Sequence, residues 1–349
     1  MRYVFLSIIL FLSFVLNFYV LWRLCGLFAI KRGPVFWILV FICSVSLITA
    51  VFLQFSFDNI ICKIIFIVVT SWYGIMWLLF STLIVYEIAG LFLKINPVAA
   101  GAGIIIFVAV VTIYSMVNTQ FVRVKKLTIG GNTDCSIVQL SDIHIGSVSG
   151  NFLKRIIEKT NALNPDLVLI TGDFVDNFNK STQEAIATLK NLKAPALFVT
   201  GNHESYVGPD RVAKALKAAN VTVLRNQMMD FGQIRIIGID NGTDKTDIAQ
   251  ILRKLNTDKS KFCILMYHQP IDLKMLSDAK VNLTLSGHTH HGQIFPFNFI
   301  VGLFYNYIWG LHKYEGGYLY VTSGTGTWGP RMRLGSKSEI ALIQIKKSY

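Results

Sequence analysis

The run Ser286-Gly287-His288-Thr289-His290-His291-Gly292 holds three of the chain's seven histidines in seven residues. Glycines on either side permit tight turns that bring backbone close to a bound ion, and imidazoles two apart supply nitrogen donors. Upstream, residues 281–285 read as a short buried strand. The same arrangement, an apolar run of strand length with ligand-type residues at its end, occurs four times earlier. Ser141-Asp142-Ile143-His144 follows a strand at 136–140, and Thr171-Gly172-Asp173 ends one at 167–172. Gly201-Asn202-His203-Glu204 follows 196–200, and Tyr267-His268 ends 262–267. Loops at the carboxyl ends of neighbouring strands converge, so groups far apart in sequence can share one crevice. Further strands at 221–225, 234–239, 318–322 and 340–345 alternate with helices near 150–163, 182–192, 210–219, 247–255 and 271–278. That alternation predicts a layered αβ domain.

The chemistry of these residues favours a two-metal centre. Two divalent ions about 3.5–4 Å apart need a bridging carboxylate, terminal oxygen ligands and neutral imidazoles. Asp142 and His144, two apart in extended chain, can face one ion. Asp173 can bridge, Asn202 offers a carbonyl oxygen, and His268, His288 and His290 offer nitrogen. Any one of them alone would be read as a buried packing or capping residue; seven in five loops would not. Nitrogen and oxygen donors without thiolate suit Mn, Fe or Zn rather than a structural cysteine site.

Outward from these loops the chain changes character. The whole is 53% hydrophobic and 15% charged, yet residues 1–120 carry only six Lys/Arg and two Asp/Glu. Four charge-poor stretches there, 3–22, 33–57, 64–86 and 95–122, are each long enough for a helix to cross a bilayer core of about 30 Å. Residues 1–122 are therefore expected to form a four-helix transmembrane region, 123–135 a juxtamembrane linker or first strand, and 136–349 the αβ domain. Glu87 falls at the end of the third stretch, where it is expected to be solvated at the interface. Basic residues divide almost evenly between the two sides: Arg2, Lys63, Arg123, Lys125 and Lys126 against Arg23, Lys31, Arg32 and Lys94. Five cysteines with no disulfide framework tip the reading toward a cytoplasmic domain. Disorder, collagen and a small disulfide scaffold are excluded by composition.

The ordered set Asp-x-His, Gly-Asp, Gly-Asn-His-Glu, His and Gly-His-Thr-His resembles the calcineurin-like metallophosphoesterase family over residues 136–346. The resemblance implies two stacked mixed β-sheets flanked by helices, an α+β membrane protein as a whole. It implies Asp142, His144, Asp173 and His290 around one divalent ion, Mn being favoured, and Asp173, Asn202, His268 and His288 around the other. It implies hydrolysis at phosphorus by an activated water, with His203 contacting the phosphoryl oxygen and protonating the leaving group. Glu204 matches an acid that orients His203, with a solvated or capping side chain as the alternative. His291 stands where the family commonly has glycine, and is a candidate substrate contact or a tolerated loop residue. His312 lies outside every motif and is expected to pack or lie at the surface.

Residues 293–311 contain seven aromatics and no charge. Pro296, Asn298 and Asn306 argue against a fifth span, which leaves an interfacial or acyl-chain-binding loop, or a core hairpin packed on the domain or on the transmembrane helices. The ending Ser323-Gly324-Thr325-Gly326-Thr327-Trp328-Gly329-Pro330-Arg331-Met332-Arg333-Leu334 is similar to a signature of the membrane-associated bacterial branch of that family. Arg331 and Arg333 could bind phosphate there or be ordinary surface charges. That branch includes lipid A pathway hydrolases cutting the pyrophosphate of UDP-2,3-diacylglucosamine, so a bacterial cell membrane, membrane lipids and an amphiphilic phosphorylated substrate are implied. The net charge of +13 suits anionic partners. Nucleic acid is not expected, because no aromatic-basic stacking motif is present. Two other readings remain: a phosphatase or phosphodiesterase on soluble nucleotides or phospholipid head groups, and a membrane sensor or scaffold whose phosphoesterase fold only binds metal.

Overall fold

The computed structural model describes residues 2–256, 258 and 260–347. By chain contacts it divides into a helical unit, Met1–Asn118 with Gly329–Leu334, and an αβ unit, Thr119–Trp328 with Gly335–Tyr349.

The helical unit has four helices, α1 (Arg2–Leu27), α2 (Pro34–Ser56), α3 (Ile60–Gly90) and α4 (Pro97–Asn118). Each is long and apolar enough to cross a membrane, and each opens or closes at the proline, charge or asparagine that bounds its apolar run. Pro34 stands at the start of α2, and the Asn59 side chain caps α3 by accepting from the Cys62 amide. α4 stops at Asn118, four residues short of the charge-based limit, because the chain there turns into a strand. Several polar groups inside the bundle are paired within it, as a medium without water favours. Trp72 Nε1 donates to Asn17 Oδ1 at 3.0 Å, and Tyr73 Oη donates to the Cys43 carbonyl at 2.7 Å. Glu87 differs from expectation. It lies within α3, three residues before its end, and accepts from Arg23 Nε at 2.6 Å, so its charge is met by a side chain as well as by solvent.

Gly329–Leu334 joins this unit through its backbone. The Arg333 amide donates to the Ser115 carbonyl at 3.0 Å, and Asn118 Nδ2 donates to the Arg333 carbonyl at 3.0 Å.

The αβ unit is a four-layer sandwich of helices, sheet, sheet and helices. One sheet runs β1 (Arg123–Gly131), β12 (Glu339–Lys347), β2 (Cys135–Leu140), β3 (Leu167–Thr171), β4 (Ala196–Val199), β5 (Val221–Val223). The other runs β10 (Gly310–Tyr314), β11 (Gly317–Val321), β9 (Leu283–Ser286), β8 (Phe262–Met266), β7 (Ile234–Gly238), β6 (Gln227–Phe231). Both are mixed, with antiparallel pairs β12·β2, β10·β11 and β6·β7 and parallel pairs elsewhere.

Period-two alternation sorts the side chains between layers. From β3, Leu167 and Leu169 enter the layer between the sheets, where they meet Ile236, Ile264, Met266 and Leu285. Val168 and Ile170 point the other way, onto α5 (Gly150–Ala162), α6 (Lys180–Ala187) and α8 (Pro209–Ala218). From β8, Cys263 and Leu265 pack on α9 (Lys245–Leu255) and α10 (Leu273–Asp278). Truncating a fully buried member such as Leu169 to alanine would cost about 2–5 kcal/mol.

Nine strands match the apolar runs of the sequence. Residues 123–131 form β1, an edge strand paired in parallel with β12. β6 and β10 are further edge strands that polar residues such as Gln227, Asp230, His312 and Lys313 hide from a search for apolar runs. Two helices also lie outside the predicted set, α7 (Asn202–Val207) and α11 (Phe297–Gly302). α11 contains no buried residue, while Ile294 is buried and Gly310 and Leu311 pair with β11.

Candidate metal centre

β2, β3 and β4 of one sheet and β8 and β9 of the other all end at one edge of the sandwich, and the loops that follow carry the ligand-type residues. Three groups result, each with donor atoms within 4.8 Å of one another: Asp142, His144 and His290; His144, Asp173 and His203; Asp173, His268 and His288. Asp173 links them. Its Oδ2 lies 3.1 Å from His268 Nε2, 3.9 Å from His203 Nε2 and 4.0 Å from His144 Nε2.

The backbone is bent to make this possible. Asp142, His144, Asp173, His288 and His290 have φ of 52°, 58°, 49°, 72° and 49°. A left-handed conformation costs a non-glycine residue about 1 kcal/mol or more, and five such positions in one place mark a constellation held against its own preference. Two glycines allow the loops to approach. A Cβ on Gly201 would overlap Asp173 Oδ1, and one on Gly287 would overlap Asp142 Oδ2. Residues 324–326 of the glycine-rich ending support the first loop: the amides of Thr325 and Gly326 donate to the carbonyls of Ser141 and Asp142 at 2.8 and 2.9 Å.

Three imidazoles have one nitrogen fixed away from the cluster. His144 Nδ1 donates to Asp176 Oδ1 at 2.7 Å, His268 Nδ1 donates to the Thr171 carbonyl at 2.8 Å, and His288 Nε2 lies 2.7 Å from Tyr305 Oη. Their other nitrogens face inward. His144 Nε2 is 3.0 Å from His290 Nε2, and His288 Nδ1 is 3.2 Å from His268 Nε2. Asn202 Oδ1 is buried and has no hydrogen-bond partner among the described residues. A buried amide oxygen without a donor is costly. Inward-facing ring nitrogens, two buried carboxylates and that oxygen together fit cations.

The electrostatics agree. Burial works against a charge on His268, but Asp173, Asp142 and the Thr171 carbonyl outweigh it and push its pKa up to about 10. Burial also raises Asp173, yet the charge and hydrogen bond of His268, followed by His203 and His144, hold its carboxyl well below the ordinary range. A proton on His268 thus supplies the positive charge that the carboxylates require. His288 goes the other way, down to about 3, from burial and then from the neighbouring His268 charge.

His203, the first turn of α7, presents Nε2 to the cluster while its Nδ1 donates to Asp176 Oδ1 at 2.9 Å. Burial opposes its protonation; the hydrogen bond it donates to Asp176 and then the charges of Asp176, Asp173 and Glu204 raise its pKa to about 9. The edges of Tyr206 and Trp328 approach its ring, with centroids 5.6 and 5.9 Å away, and both are largely exposed.

Of the two readings of Glu204, the capping one is what forms, and it does not orient His203. It is fully buried and accepts from the amides of Gly201, Phe174, Asp173 and Val175 at 2.7, 2.9, 3.0 and 3.2 Å. Its carboxylate is spent on joining two ligand loops, and Asp176 is the acid that holds His203. Asp176 was missed, although Gly172-Asp173-Phe174-Val175-Asp176 places two carboxylates three apart in one turn. Tyr305, seventeen residues beyond His288, left no signal in the sequence.

His291 stacks on Trp309, centroids 4.9 Å apart, and belongs to none of the three groups. His312 packs on Tyr307 at 4.8 Å. Arg331 and Arg333 belong to the helical unit, and Arg333 is fully buried.

Residues 135–292 match the family described as calcineurin-like phosphoesterase. The chain is similar to an uncharacterized metallophosphoesterase of Campylobacter jejuni, 37% identical over 69% of this chain and 68% of the relative. It is 34% identical to one of Aquifex aeolicus over 67% of this chain and 95% of the relative. A Danio rerio transmembrane protein with metallophosphoesterase domain is 32% identical over 70% of this chain and 62% of the relative.

Proposed function

The chain belongs to the calcineurin-like metallophosphoesterase family, and from that premise we propose that it is a membrane-bound dinuclear hydrolase of a lipid-linked phosphoester or pyrophosphate. The observation that carries the hydrolase reading is the pair of ligand groups sharing Asp173, with the donorless Asn202 oxygen beside them. Asp142, His144, Asp173 and His290 would hold one divalent ion, and Asp173, Asn202, His268 and His288 the other. Such ions activate a water and neutralise the oxygens of a phosphoryl group.

The chain's own residues do the rest. Asp176 keeps His203 charged and fixes its ring by accepting from Nδ1. Nε2, the remaining N–H, points at the cluster and can hydrogen-bond a phosphoryl oxygen, then pass its proton to the departing oxygen. Glu204 holds the Asp173 and Gly201 loops in register so that Asp173 and His203 keep their spacing. Tyr305 fixes the ring of His288, and Thr171 that of His268.

The substrate reading goes further than the hydrolase reading. Four membrane-length helices and an exposed apolar segment beside His288 support an amphiphile, and the exposed rings of Tyr206 and Trp328 beside the leaving-group acid support a planar group such as a nucleobase. UDP-2,3-diacylglucosamine combines both features. Mn is the favoured metal on donor type, and a bacterial cell membrane with the αβ unit on its cytoplasmic side is the favoured setting.

The test is product analysis by mass spectrometry after incubating the purified full chain with Mn²⁺ and UDP-2,3-diacylglucosamine, beside His203→Ala. Lipid monophosphate and UMP, lost in the variant while bound metal is retained, is the expected result. Cleavage of a simple phosphodiester but not of this substrate would overturn the substrate assignment alone. No hydrolysis of either by metal-loaded protein would overturn the enzyme reading in favour of a scaffold.

A further inference from the structure

Between Gln293 and Leu311 the chain has no charged residue, and most of its large apolar side chains are exposed. Phe295, Phe297, Phe299, Leu303 and Phe304 are 46%, 40%, 65%, 81% and 77% exposed, on and around a helix, α11, with no buried residue. A contiguous apolar rim of this kind is seldom left to water.

Connectivity and charge identify what covers it. β1 begins at Arg123, five positions after α4 ends at Asn118, so at about 3.5 Å per residue the start of β1 lies within roughly 20 Å of the end of a membrane-length helix. Lys125, exposed in β1, places Nζ 5.7 Å from the centre of the Trp309 ring at the far end of the apolar segment. The segment therefore abuts a residue only seven positions beyond the end of α4. Exposed Arg123, Lys125 and Lys126, an indole, and a cluster of phenylalanine and leucine make up the set that suits anionic headgroups, the headgroup level and the upper acyl chains in turn.

We propose that the rim Phe295–Phe304 is a lipid-seating surface, through which the αβ unit dips into the face of the bilayer that anchors it. The partner is an anionic phospholipid surface. This deepens the reading of a lipid-linked substrate, because Tyr305 follows the rim directly and its hydroxyl lies 2.7 Å from His288 Nε2. Seating the rim would hold the metal centre one side chain from the headgroup layer.

The test uses the full chain in nanodiscs of anionic phospholipid holding one copy each, which prevents a second copy from covering the rim. Leu303→Cys and Phe304→Cys, each carrying an environment-sensitive fluorophore, are compared with Lys274→Cys on α10, whose side chain is 81% exposed; the unsubstituted chain gives the background from native cysteines. Blue-shifted emission at both rim positions, lost when the lipid carries a doxyl group high on the acyl chain, with neither effect at residue 274, is expected. Emission like that of residue 274 would overturn the proposal, and so would a blue shift that doxyl lipid leaves intact, since protein rather than lipid would then cover the rim. The readout needs no turnover, so it stands or falls apart from the hydrolase assay.

Discussion

Asp176 Oδ1 lies 2.7 Å from His144 Nδ1 and 2.9 Å from His203 Nδ1, so one carboxylate oxygen orients both a candidate metal ligand and the candidate leaving-group acid. Its other oxygen is held by the amide and hydroxyl of Ser147. Burial would protonate it, but the charge and hydrogen bond of His144 and those of His203 keep it ionised far below the ordinary carboxylate range.

Asp176→Asn therefore affects two properties at once. Metal affinity is expected to fall about 10–100-fold, the usual cost of losing the partner of a ligating histidine, and turnover of the metal-saturated enzyme by about 100-fold or more through His203. His203→Gln should lose turnover alone. Metal titration and steady-state rates on the two variants separate the effects; equal metal affinity in Asp176→Asn and the parent would refute the shared role.

Turnover should fall on the alkaline side as His203 loses its proton. Its pKa is raised to about 9 without metal, and neighbouring cations oppose protonation, so the limb in the loaded enzyme falls below that value. Removing the Asp176 charge moves it lower still. A pH profile of kcat for the parent and for Asp176→Asn checks both the position and the direction.

Metal uptake should release a proton. Below about pH 10 His268 carries one in the metal-free protein, and a ligating imidazole must be neutral. Apparent affinity should rise about tenfold per pH unit for each proton displaced. Calorimetry in buffers of different ionisation enthalpy counts the protons, and a value of zero near neutral pH would sink the assignment.

Glu204→Ala leaves four buried amides without their acceptor and should cost about 3 kcal/mol or more. Glu204→Gln keeps oxygen for some of them and should cost less. Denaturant unfolding of the two variants, with metal content measured on each, gives the order; a harmless alanine would mean that water replaces the carboxylate.

Tyr305→Phe removes the hydroxyl beside His288 Nε2 without changing the ring's packing. Weaker binding of one ion of the pair is expected, with His203 chemistry intact at saturating metal. Unchanged stoichiometry and affinity would leave Tyr305 with a packing role only.

Much of this was legible in the sequence because strand-end loops carry their chemistry in short, glycine-marked runs. Asp142, His144, Asp173, His268, His288 and His290 come together as those runs suggest. For Glu204 the capping alternative held and the orienting role did not, because adjacency to His203 in sequence is not adjacency of side chains: at the third position of α7 it reaches back to the helix start and the β3 loop. Asp176 and Tyr305 act through a neighbour's far nitrogen, a relation fixed by loop packing. β6 and β10 escaped because edge strands need no apolar run.

Among the described residues, Gly329–Leu334 is the one stretch after Asn118 that groups with the helical bundle. The hydrolytic unit is thus no cassette. A chain cut to begin at residue 119 would still carry Arg333 but not Ser115 or Asn118, which meet its amide and carbonyl. Recombination that exchanged the membrane helices for another anchor would break the same clasp. Anchor and hydrolase are expected to have changed together during descent, and covariation between the end of α4 and residues 329–334 across relatives would record it.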